Sequence, residues 1–144
     1  MALTFQGYRN FGTYKGNGTI NMSAANAFKM ALVVGYTFNA AHDQFSDVSP
    51  NEYGNANGYT SGGKTLTSTT WGYDAPQNKT KFGAADLSWT ATGGDLGPIS
   101  GAVLYHAATG KLCGYMDFGQ SLTAGNTTDF KIAFGADGVF TETL

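Results

Sequence analysis

Glycine recurs along this chain between short runs of threonine, aromatic and aliphatic residues, and that mixture limits the fold more than any motif does. Glycine accounts for 21 of 144 residues, about twice the usual ~7%. A glycine inside a helix costs about 1 kcal/mol relative to alanine, while β-branched and aromatic residues suit a pleated strand. Aromatics reach 14%, enough apolar area to offset the ordering entropy, which argues against disorder. Short strands joined by tight turns are expected: an all-β, antiparallel β-sandwich, jelly-roll-like, with one short helix or helical turn.

The length suits one domain with a real core. Charged residues are only 12% and the net charge is −2. The eight basic residues are scattered from Arg9 to Lys131, so the electrostatic stripe of a nucleic-acid binder is missing. A surface this poor in charge suits a protein assembled against neighbours. No apolar run reaches membrane-spanning length, and "MALTFQGYRN" lacks the charged and apolar regions of a secretory leader. The lone Cys113, in "KLCGYMDFG", is expected to be a buried structural thiol. Four sequons, at Asn17, Asn21, Asn78 and Asn126, are what chance supplies in such a composition and are assigned no glycan.

Residues 1–27 read as an N-terminal arm, or a loose hairpin around Gly16-Asn17-Gly18, ahead of a single sandwich domain over 28–144. "FKMALVV" (28–34) is apolar on both faces, the mark of a strand covered on both sides. "YTFNAAHDQFSDV" (36–48) loses the period of two and predicts a helical turn, and 49–63 is breaker-dense loop. Strands follow at 64–75, at 80–92 with Leu87, Trp89 and Ala91 on one face, and at 97–107. The last of these is joined through "ATG" to 111–119, which is expected to end at a Gly turn. In 129–136, Phe130, Ile132 and Phe134 face one way, and Asp137-Gly138 predicts a hairpin into "VFTETL". That makes seven or eight strands.

"GYTSGGKT" (58–65) satisfies G-x-x-x-x-G-K-[ST], yet a phosphate loop needs a buried strand before it and a helix after it. Here "NEYGNAN" precedes it and the β-branched "TLTSTT" follows. The expectation is a Gly-rich turn, with Gly62-Gly63 at positive φ, leading into a strand at Lys64. His42 and His106 lack a nucleophile elbow or paired metal-ligand spacing, and His42 is expected to hydrogen-bond within 36–48. Asp43, Asp47 and Glu52 could together hold calcium with backbone oxygens, but the EF-hand glycine and terminal glutamate are missing. Capping of the helical turn by Asp43 and Asp47 is the expectation. Tyr53, Tyr59, Trp71 and Tyr73 cluster around the long loop, where a carbohydrate-binding module would carry a stacking platform, although core packing is the commoner use. No catalytic residue, cofactor or metal is expected.

Five pieces in order carry a resemblance: "SDVSPNE" with "GYTSGG", then "DLSW", "GAVLY", "GYMDFG", and the closing "GADGVF". Over residues 28–143 they resemble a family of small virion proteins of tailed bacteriophages. The resemblance implies a non-enzymatic decoration or cement protein on the capsid surface. Its partners would be the major capsid protein and copies of itself, as trimers at local three-fold positions, with no nucleic acid or membrane. Contact residues would then be the arm aromatics Phe5, Tyr8, Phe11 and Tyr14 and the loop tyrosines Tyr53 and Tyr59. The competing expectation is a fibre, spike or tail-associated adhesin that holds a host glycan.

Overall fold

The computed structural model describes residues 4–143. In chain order the elements are β1 (Thr4–Gly7), α1 (Phe11–Gly16), β2 (Phe28–Val33), α2 (Phe45–Val48), β3 (Lys64–Thr65) and β4 (Thr70–Asp74). They continue with β5 (Lys79–Gly83), β6 (Leu87–Thr90), β7 (Leu96–His106), β8 (Leu112–Ala124), β9 (Asp129–Ile132) and β10 (Phe140–Thr143). Every strand pairing is antiparallel. A five-stranded sheet has the order β1-β8-β7-β2-β3, and smaller sheets have the orders β10-β5-β4 and β6-β9. The architecture is an all-β, sandwich-like fold with two short helices, the expected turn α2 and, in addition, α1.

β2 explains the layering. Phe28, Met30 and Leu32 enter a large core shared with Phe82, Phe140, Trp89 and Ile132 of the smaller sheets. The alternate residues Ala31 and Val33 face the other way, into a second cluster with Tyr8, Tyr36, Val48, Val103, Tyr105 and Tyr115. The central strand is therefore covered on both sides, as its continuous apolar run predicts. On the second side the cover is the irregular segment 36–52, from which Phe38 and Phe45 also pack onto the cluster.

The faces read from alternation hold: Leu87, Trp89 and Ala91 are buried, as are Phe130, Ile132 and Phe134. The strand boundaries differ. The runs 64–75 and 80–92 are each split in two, at Ser68 (φ +52°) and after Gly83, where Ala85 N–H donates to Thr67 O. Ten strands result among the described residues. β8 does not end at Gly119. There the chain bends at φ +73°, Asp117 Oδ1 accepts the Gly119 N–H at 2.8 Å, and the strand continues to Ala124. The Asp137-Gly138 turn is no hairpin either, since β9 pairs with β6 and β10 with β5.

The arm or hairpin over 1–27 is also corrected, residues 1–3 lying outside the described range. β1 pairs with β8, and Phe5 stacks on Phe140 with centroids 4.5 Å apart. Phe11, Ile20 and Met22 are buried in the large core. Lys15 of α1 pairs with Glu142 of β10 beneath the rings of Phe11 and Trp71. The chain turns after α1 through Asn17 N–H to Thr13 O and Ile20 N–H to Tyr14 O. Apolar side chains at 5, 8, 11, 20 and 22 bind this segment to the domain, because leaving them in water forfeits about 1.5–3 kcal/mol for each large one.

Gly114 makes the β1 seat possible: a Cβ there would fall 2.0 Å from the Phe5 ring. Gly114→Ala is expected to lower stability by roughly 1–3 kcal/mol, read from the denaturant midpoint. Adding Phe5→Ala removes the collision, so the double variant should lose less than the sum of the singles.

Candidate functional site

The long loop 49–63 is moulded onto the edge of the central sheet. Val34 N–H donates to Asn51 O at 2.8 Å and Tyr53 N–H to Leu32 O at 2.9 Å. Glu52 then holds the far end of the loop. Its Oε2 accepts the Tyr59 hydroxyl at 2.5 Å and the Gly62 N–H at 2.6 Å. Tyr59 Oη in turn accepts the Leu32 N–H at 3.1 Å, and the Tyr105 hydroxyl donates to Gly62 O at 2.6 Å. Burial first, then Glu52, raises both tyrosines, Tyr105 to about 12 and Tyr59 further, so both remain hydrogen-bond donors. Asn57 Nδ2 donates to Asp95 O at 2.8 Å and fixes the middle of the loop.

This geometry disposes of the phosphate loop. The Gly62 N–H that would meet an anion already meets the chain's own Glu52 carboxylate. Lys64 Nζ donates to Ser88 O and lies over Trp89, and the segment continues as strand β3 instead of a helix. Gly62 and Gly63 have φ of +94° and +80°, as a Gly-rich turn requires. At Gly63 a Cβ would sit 1.9 Å from Met30 O, so the turn is pressed against β2.

The histidine and carboxylate candidates do not converge. His42 Nδ1 is 2.8 Å from the Tyr36 hydroxyl, itself 3.0 Å from the Tyr8 hydroxyl, which is the local role expected of His42. Asp43 is a clasp and not a cap. It accepts Tyr14 Oη at 2.6 Å, Asn10 Nδ2 at 3.1 Å and Lys111 Nζ at 3.1 Å, and these partners hold its carboxyl below the usual range, the Tyr14 hydrogen bond foremost. Asp47 does cap: its Oδ2 accepts the Asp43 and Gln44 N–H groups at 2.9 and 3.0 Å, which lower its pKa. Among the described residues no three His, Cys, Asp or Glu side chains gather to hold a metal ion. His106 Nδ1 meets Thr109 Oγ1 at 2.8 Å. Cys113 is fully buried and its thiol pKa is pushed up by that burial, an inert thiol as expected.

Three of the six aromatic contact candidates need correction, and the other three, Phe5, Tyr14 and Tyr53, keep part of their surface exposed. Tyr8, Phe11 and Tyr59 lie inside the chain's own clusters, so their rings cannot touch a second molecule. Phe5 is stacked on Phe140, Tyr14 is tied to Asp43, and Tyr53 meets Tyr59 edge-on at 5.9 Å. The loop aromatics and the strand aromatics also do not share one platform. Trp71 is half-buried against Phe82 and Phe140, whereas Tyr73 of β4 is 61% exposed, its hydroxyl donating to Asn78 Oδ1 at 2.9 Å. The period-two pattern of "TWGYD" could have singled out Tyr73, since it continues the aromatic face beyond the core. Nothing local marks Glu52 as the loop's clasp. A groove of about 330 Å³ borders Trp71, lined by Lys15, Ile20, Met22 and Ser23.

Compared with known proteins, the chain matches no family model, no curated protein and no solved structure.

Glu52→Ala strands the Gly62 N–H and the Tyr59 hydroxyl, and is expected to destabilise by roughly 1–3 kcal/mol and to speed amide exchange at Gly62. The folded-state pKa values of Asp43 and Asp47 lie below their unfolded values. Their contribution is therefore present above the unfolded carboxylate pKa of about 3.9 and is lost as pH falls below it. Thermal unfolding from pH 7 to 3 is expected to show this acid limb, and Asp43→Asn with Asp47→Asn is expected to flatten it.

Proposed function

We propose that this chain is a non-enzymatic structural protein of a tailed-phage virion. In this reading it decorates the capsid surface, binds the major capsid protein and cements the assembled head by bridging its subunits. The ordered set of motifs over residues 28–143 carries the reading. Those motif residues lock loops to sheets: Asp47 caps α2, Glu52, Tyr59 and Gly62 close the long loop, and Trp89 and Tyr115 are buried. A bridge adds interface that must break before a shell opens, and it does so only if the bridging body does not yield first. Cross-tied loops on a two-sided core suit that task. The polar groups that catalysis would need are engaged within the chain, which fits a product of adhesion and not of chemistry.

The adhesin reading draws on one observation, the exposed Tyr73 ring held by Asn78, since a fixed, exposed aromatic face can stack on a sugar. Copy number separates the two. Purified protein is expected to co-sediment with shells that lack it, at hundreds of copies per particle, and to raise the temperature at which they rupture. A dozen copies or fewer, together with retention on host cell-wall sugar, would replace cement with adhesin. No binding to shells at all would end the cement reading.

A further inference from the structure

Among the described residues β4 is an open edge, pairing only with β5. Exposed strand edges offer unpaired N–H and C=O groups, and proteins protect them with extreme shortness, lysine, proline or bulges. Some edges of this molecule carry such devices: β3 is two residues long and includes Lys64, and β9 contains Asp129 and Lys131. β1 and β6 lack lysine and proline as β4 does, but each is four residues long and presents no exposed aromatic ring. β4, "TWGYD", has no lysine or proline and keeps an unbroken register with β5. Its one charge, Asp74, stands at its end, and Tyr73 is largely exposed.

We propose that β4 is an interface between two copies of this chain, paired antiparallel about a two-fold axis at Gly72. The two three-stranded sheets would merge into one of order β10-β5-β4-β4-β5-β10. The strand is self-complementary in this register. Trp71 of each copy lies opposite Tyr73 of the other, on the face that also carries Phe82 of β5, so two aromatic cross-strand pairs form. Thr70 lies opposite Asp74, a hydroxyl donor against a carboxylate, and the two Asp74 residues sit at opposite ends of the ladder. An axis at Asp74 would instead set two carboxylates side by side. The isologous contact closes on itself and gives a two-fold pair, in place of the three-fold arrangement expected from shell geometry. It is independent of the capsid reading, because it holds or fails in purified protein.

Cysteine cross-linking of the full chain tests the register. A Cβ on Gly72 meets nothing within 4 Å, so Gly72→Cys should fold, and the native Cys113 is buried and inert. Residues directly opposed in an antiparallel pair have Cα atoms about 4.5–5.5 Å apart, within disulfide reach. Mild oxidation of the Gly72→Cys protein is therefore expected to give a disulfide-linked dimer. Thr70→Cys should stay uncross-linked, because its two copies would be four residues apart along the ladder, about 13 Å. Adding Tyr73→Lys to Gly72→Cys should slow cross-linking at least tenfold, with thermal unfolding matched to the parent as the check on folding. Failure of Gly72→Cys to cross-link, or equal cross-linking by Thr70→Cys, overturns the proposal.

Discussion

Burial of β2 on both faces is the constraint that organises this protein. Phe28, Met30 and Leu32 on one side and Ala31 and Val33 on the other are all withdrawn from water, so two covers are required. One cover is built of strands, from the two smaller sheets. The other is the irregular segment 36–52, which brings backbone groups with no regular ladder to satisfy them. An unpaired buried polar group costs about 1–3 kcal/mol, so an irregular cover is stable only when its polar groups find partners.

Three carboxylates, Asp43, Asp47 and Glu52, are placed where that need arises. Asp47 takes the N–H groups at the start of α2. Asp43 joins α1, the 36–48 segment and Lys111, and Glu52 closes the long loop on itself. Phe45 N–H to Gly110 O and Leu112 N–H to Asp43 O then tie the cover to the β7–β8 turn. The same residue types that suggest chemistry in a sequence, a His-Asp pair, a carboxylate cluster and a Gly-rich loop with lysine, are here the fasteners of a cover layer. The proposed pairing of copies would use β4, whose aromatic face extends past the core at the exposed Tyr73.

How much was legible depends on the range of the interaction. Alternation at Leu87-Trp89-Ala91 and at Phe130-Ile132-Phe134 assigns faces correctly, because side chains two apart on a strand share a side. Two-sided burial of 28–33, the inert Cys113, the local partner of His42 and the failed phosphate loop were likewise readable, each from a residue and its near neighbours, although Val34, expected to be covered with them, is exposed. The breaks at Ser68 and Gly83 were not, since a Thr-rich run looks the same whether it is one strand or two. Nor was the seat of Phe5 on Gly114 and Phe140, which joins residues more than a hundred positions apart. The loop clasp was missed for a different reason: the partners of Glu52, Tyr59 and Gly62, are only 7 and 10 residues away, but they meet it only because the irregular loop folds back against Leu32 of β2.

The all-β class, the doubly covered strand and the inward faces follow from composition and a period of two, which act over a few residues and survive any choice of topology. Strand partners, the capture of residues 4–27 and the withdrawal of Tyr8, Phe11 and Tyr59 from the surface depend on which apolar faces meet. An aromatic residue gains about as much by entering its own core as by meeting another molecule. Its local sequence therefore leaves the choice open, and long-range packing makes it.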